Sequence, residues 1–200
     1  AGSPHEGLWD CVVEGLIERV RAHISMIHAV RPDVDVIAVM DEPALVTFAP
    51  GRSNGPVPIE AAANAMVSVM AGTPVPVGIH VCGDTDWRMV AGLQPAWISW
   101  DLAALGDGFL NATDAIAETV SHGTGIMWGM VPTDPAPLDT DRIRSRYGTA
   151  VTRLVIDGAP AEALTSASLA TPACGLAGIG VGGAGVVMDR LRDVVEMVDD

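Results

Sequence analysis

Five times along this chain, a stretch whose apolar residues recur at helical spacing gives way to a short, continuous apolar run. From Leu8 to Ile27 apolar residues fall at 8, 9, 12, 13, 16, 17, 20, 24 and 27, the stripe of an amphipathic helix, and Arg31-Pro32 closes it. VDVIAVM (34–40) follows; short and rich in β-branched residues, it predicts a strand buried on both faces. The alternation then repeats. IEAAANAMVSVMAG (59–72) precedes PVPVGIHVC (74–82), DWRMVAGL (86–93) precedes PAWISWD (95–101), and TDAIAETVSHG (113–123) precedes TGIMWGMVP (124–132). TDRIRSRYGTAVTRLVI (140–156) leads, after a further stretch, to SLATPAC (168–174), and a last helix covers roughly 184–198. Strands that alternate with helices and never with hairpin turns lie parallel, joined by right-handed crossovers. The expected class is α/β, in one domain over residues 1–200. The one segment of linker composition, APGRSNGPVP (49–58), follows a strand end directly and reads as a long loop rather than a domain boundary.

Periodicity alone does not separate a closed barrel from an open sheet. The polar residues favour the barrel, because Asp41-Glu42, Cys82-Gly83-Asp84, Asp101 and Cys174-Gly175 all stand at the C-terminal ends of their strands, the rim where an α/β barrel builds its active site. A full barrel has eight strands and about 250 residues, so five strands that begin with a helix are expected to be the later part of one.

Composition narrows the partners. The 200 residues carry a formal net charge of -14 and no run of Arg, which disfavours phosphate backbones and anionic lipid surfaces; neither nucleic acid nor a membrane is an expected partner. All 11 basic residues are arginines, which removes lysine Schiff-base chemistry and the P-loop lysine. Three widely spaced cysteines in a chain of this size fit a reducing cytoplasm better than a disulfide framework. Since the sequence opens AGSPHEG without Met, residues upstream of Ala1 are expected.

In a strand, residues i and i+2 face the same way, so His80 and Cys82 point together, as two ligands of one metal must. A neighbouring His and Cys are also ordinary core residues. Cys174 adds weight, because it too closes a strand and precedes a glycine. Asp101, at the end of WISWD, is a possible fourth donor; its structural alternative is a cap on the following LAALG (102–106). One His, two Cys and a carboxylate suit zinc, which takes N, S and O donors in a tetrahedron. Asp41, in Asp41-Glu42-Pro43, stands where a carboxylate could hold a substrate ammonium group or simply end a strand. GIGVGGAG (178–185) contains G-x-G-x-x-G twice, but no second strand with an acid follows it; it reads as a flexible rim loop. His5, His23, His28 and His122 read as surface or helix residues, and Cys11 as a buried residue of the first helix.

VMDEPAL (39–45), IHVCG (79–83), WISWD (97–101) and TPACGLAG (171–178), in this order, resemble the C-terminal catalytic barrel of cobalamin-independent methionine synthase. The resemblance spans nearly the whole chain and implies a TIM (β/α)8 barrel of the methionine synthase/uroporphyrinogen decarboxylase-like type, of which this chain covers about the last five strands. It implies a zinc-dependent methyltransferase in which zinc activates the thiol of homocysteine, with His80, Cys82 and Cys174 as zinc ligands and Asp41 holding the homocysteine amino group. Two departures bear on the chemistry. Asp101 stands where the family usually has Glu, one methylene longer. The family's long form has a histidine near the end of the strand matching TGIMWGMVP, associated with protonating the folate donor; Trp128-Gly129-Met130-Val131-Pro132 has none. The methyl donor is therefore methyltetrahydrofolate or, in a short form of the enzyme, methylcobalamin or another methylated corrinoid on a carrier protein. Two alternatives remain open at this stage: a related zinc-dependent alkyltransferase acting on another thiol such as coenzyme M, and a non-catalytic binding barrel or incomplete fragment.

Overall fold

The computed structural model describes residues 6–48, 58–103, 107–134 and 138–199. In chain order the elements are α1 (Glu6–Val30), β1 (Ala38–Asp41), a 3-10 turn (Pro43–Phe48), α2 (Ile59–Gly72), β2 (Val77–Val81), α3 (Trp87–Gly92), β3 (Trp97–Trp100) and α4 (Thr113–Ser121). Then come β4 (Gly125–Val131), α5 (Thr140–Ile156), α6 (Ala161–Ser166), β5 (Ser168–Pro172), a second 3-10 turn (Ala177–Ile179) and α7 (Gly180–Asp199). Every strand pairs with the next in parallel, and the sheet order is β1-β2-β3-β4-β5.

That order carries the architecture. A doubly wound sheet reverses direction at a switch point; this one never does, so crossovers of one hand place all the connecting helices on one face. The sheet is compatible with part of a barrel. Its helix-facing side holds the core: Ile79, Val81, Ile98, Trp100, Ile126, Trp128 and Met130 pack with Val90, Ile116, Leu154, Val187 and Val194 from the helices. Within this core lies an aromatic layer. Trp100 stacks on Phe109 with centroids 4.1 Å apart, Trp87 and Trp128 meet that pair edge to face, and Tyr147 meets Trp128 in the same way.

The opposite face runs in rows set by the strand register. Gly78, Trp97 and Gly125 form one row, and the next is Asp41, His80, Ser99, Met127 and Leu169. Trp97 fills the first row, because a Cβ on Gly125 would lie 2.4 Å from its ring. The second row is closed at its centre, with His80, Ser99 and Met127 buried, and open toward the sheet edges, where Asp41 and Leu169 are exposed.

Most predicted elements are present, and the departures have identifiable causes. The first strand covers only Ala38–Asp41 rather than 34–40, since its neighbour begins Pro74-Val75-Pro76 and proline has no N–H for a ladder; pairing starts with the Ala38 N–H donating to the Pro76 carbonyl. The glycine-rich stretch is a correction. Rather than a flexible loop, residues 177–179 form a 3-10 turn and α7 begins at Gly180, whose φ of +68° makes the sharp entry. Glycine costs about 1 kcal/mol per helical position relative to Ala, and packing of α7 against β4 and β5 outweighs it. Cys11 is also corrected: it is exposed, because α1 packs chiefly on α2 and leaves Leu8, Val12 and Leu16 in solvent as well. His23, His28 and His122 are exposed as expected. His5 and the loop at 49–57 lie outside the described residues. Among the described residues, no helix is long and apolar enough to cross a membrane.

Candidate metal centre

Each candidate ligand reaches the C-terminal rim of the sheet by a separately anchored route. His80 is the fourth residue of the fully buried β2 and is itself 7% exposed. Cys82 follows the strand immediately. The chain behind it is pinned by the buried Thr85 hydroxyl donating to the Leu45 carbonyl, 2.7 Å, and by the Asp86 carboxylate accepting from the Met89 N–H at the start of α3. Gly83-Asp84-Thr85-Asp86 is thus the predicted rim loop and helix start. Cys174 lies just past β5, held by the Ala173 N–H donating to the Val131 carbonyl, 2.8 Å.

These routes converge. A ring nitrogen of His80 and the sulfurs of Cys82 and Cys174 lie within 4.8 Å of one another, two of them drawn from the end of β2 and one from the end of β5. A tetrahedral zinc ion with bonds of about 2.0–2.3 Å spaces its ligands roughly 3.3–3.8 Å apart, so only a small contraction separates this cluster from a metal shell. The chemistry of the donors agrees. His80 Nδ1 is paired with the Ser99 hydroxyl at 2.9 Å, while His80 Nε2 is buried and has no hydrogen-bond partner. A buried polar atom without a partner costs free energy, and a metal ion supplies the missing one.

Electrostatics in the cluster favours a protonated thiol at Cys82. Cys82 is exposed as a residue, yet desolvation of its sulfur, then the adjacent Cys174 and then the Asp41 carboxylate push the thiol above its ordinary value. A divalent cation reverses that balance, because coordination deprotonates a thiol outright. Asp41 is therefore near enough for its charge to be felt at Cys82, and the register places it directly beside His80. Glu42 is half-buried; its N–H continues the ladder to the His80 carbonyl at 2.9 Å, and burial, followed by the Asp41 charge, raises its carboxyl.

Asp101 is not part of the converged group. It stands half-buried immediately after β3, beyond Trp100, which pairs with Val81. LAALG does not continue from it as a helix over the described residues 102–103. Among the described residues the converged group therefore has three donors, one fewer than the four of a structural zinc shell.

Gly129 sets how tightly the rim closes. A Cβ there would lie 2.8 Å from the Trp100 carbonyl oxygen, 2.9 Å from Ala173 Cα and 3.1 Å from Asp101 Cα. All three are backbone atoms, so β3 and the end of β5 must part to make room. Gly129→Ala is expected to cost about 1–3 kcal/mol by overpacking, read as a lower urea midpoint; an unchanged midpoint would mean that the rim yields freely.

Ser99 escaped the sequence reading. The same period-two rule that paired His80 with Cys82 puts Ser99 on the face of Asp101, and a small polar residue inside an apolar strand is the signal that could have found it.

The chain matches no known family model, and no curated protein is significantly similar to it in sequence.

Proposed function

We propose that this chain is a zinc-dependent methyltransferase that transfers a methyl group to the thiol of homocysteine, giving methionine, on part of a TIM barrel of the methionine synthase-like type. The observation that carries this reading is the convergence of His80, Cys82 and Cys174 at the strand ends around a buried, unpartnered His80 Nε2. Zinc held there supplies a cation that favours the thiolate form of a substrate thiol near neutral pH, where a free thiol is mostly protonated.

The chain's own residues do the rest. His80, Cys82 and Cys174 would hold the ion, at a rim that a substrate thiol could reach from solvent, since Cys82 is exposed and Cys174 partly so. Two thiolates among the three donors keep the ion electron-rich, so a substrate sulfur stays nucleophilic. Asp41, exposed beside His80, is the carboxylate for an ammonium group, which favours homocysteine over coenzyme M. Asp101 remains a candidate donor that would have to move toward the cluster. The absence of a histidine in Trp128–Pro132 favours a methylated corrinoid over methyltetrahydrofolate as donor, and the free cysteines suit a reducing cytoplasm.

X-ray absorption on the zinc-loaded protein, with and without homocysteine, tests the reading. One additional sulfur neighbour is expected with homocysteine and none with coenzyme M at the same concentration. An unchanged shell with both thiols would sink the thiol-activation mechanism.

A further inference from the structure

We propose that Ser99 is a positioning residue that fixes the ring of His80 and presents Nε2, rather than Nδ1, to the metal. This rests on the zinc reading of the site and adds to it the atom that binds and the group that selects it. Ser99 Oγ lies 2.9 Å from His80 Nδ1, and both residues are buried, at 6% and 7% exposure. They are register partners on two central strands, so their backbones cannot drift apart without breaking the sheet. The other ring nitrogen, Nε2, is buried without a partner.

A serine hydroxyl both donates and accepts, so it serves either neutral tautomer. When the hydroxyl donates to Nδ1, the ring hydrogen sits on Nε2, buried and unsatisfied. When Nδ1–H donates to Oγ, the lone pair is on Nε2 and free for an ion. Metal binding selects the second arrangement, and the hydroxyl turns to accept without any movement of the ring. Metal-bound histidines as a rule donate their other N–H to an oxygen, and loss of that partner costs about 10–100-fold in affinity. Here the oxygen comes from a neutral hydroxyl rather than a carboxylate, which orients the imidazole without adding a negative charge next to two thiolates.

The test combines zinc affinity, from competition with a chromophoric chelator, with 15N ring shifts of histidine-labelled protein. Zinc-loaded wild type is expected to show a metal-bound Nε2 and a protonated Nδ1. Ser99→Ala is expected to bind zinc about 10–100-fold more weakly and, once loaded with zinc, to lose the single Nε2-bound, Nδ1-protonated signature. Ser99→Thr, which keeps the hydroxyl, is expected to restore most of both. Wild-type affinity and an unchanged tautomer in Ser99→Ala would overturn the role of Ser99 alone, while a wild-type protein that binds no zinc would overturn the metal site and this role together.

Discussion

Zinc bound stoichiometrically by the wild-type protein is expected to be lost from Cys174→Ser, and likewise from Cys82→Ser, while Cys11→Ser keeps it. The substitution changes one atom in each case, yet it replaces a thiol that a cation readily deprotonates with a hydroxyl that holds its proton far more tightly, so only two of the three converged donors remain. Cys11 is the internal control, an exposed cysteine on α1 that belongs to no such group among the described residues. Metal content measured after dialysis against a weak chelator, with far-UV circular dichroism to verify folding, reads the result. Folded Cys82→Ser and Cys174→Ser proteins that both retain stoichiometric zinc would remove the basis of the site. In wild type and Cys11→Ser zinc binding should weaken as pH falls, because the Cys82 thiol is held above its ordinary value and protons compete with the metal for the same sulfur.

The parts of this molecule that periodicity controls are legible in the sequence. Helix α2 spans residues 59–72 as its pattern predicts, and all five strands are parallel because no hairpin signal intervenes. His80 and Cys82 share a face by period two, and Cys174 meets them because parallel strands bring all their C-terminal ends to one rim. What stayed illegible depends on neighbours distant in sequence. The late start of β1 comes from the prolines just before the strand beside it, 36 residues or more further along the chain. The helical start of α7 runs against glycine's intrinsic preference and is carried by tertiary contacts with β4 and β5. The position of Asp101 outside the donor cluster depends on side-chain reach, which a strand pattern does not encode. Ser99 becomes meaningful only once the β2–β3 register pairs it with His80.

Trp128→Ala is expected to be strongly destabilising, at about 3–5 kcal/mol, a large share of the roughly 5–15 kcal/mol that holds a domain folded. Trp128 is 1% exposed and touches Trp100, Phe109 and Tyr147 at centroid distances of 6.3, 6.2 and 5.1 Å, each edge to face. Its indole N–H donates to the Ser168 hydroxyl at 3.0 Å, tying β4 to β5. Truncation therefore opens a cavity in the aromatic layer and removes a link to the strand that carries Cys174. Trp128→Phe keeps most of the ring contacts and loses the donor, so it should fall between the two in urea denaturation. The layer lies on the helix side of the sheet, whereas His80, Ser99 and the donors lie on the other, so stability and metal binding should separate. Zinc stabilises any form that binds it only when folded, in proportion to the logarithm of its concentration over Kd. Added zinc should raise the unfolding midpoint of Trp128→Ala as it does that of wild type, from a lower starting point, and should leave that of Cys174→Ser unmoved. If zinc fails to raise the midpoint of folded Trp128→Ala, the aromatic layer and the donor cluster are one cooperative unit, and the division of labour between the two faces of the sheet is wrong.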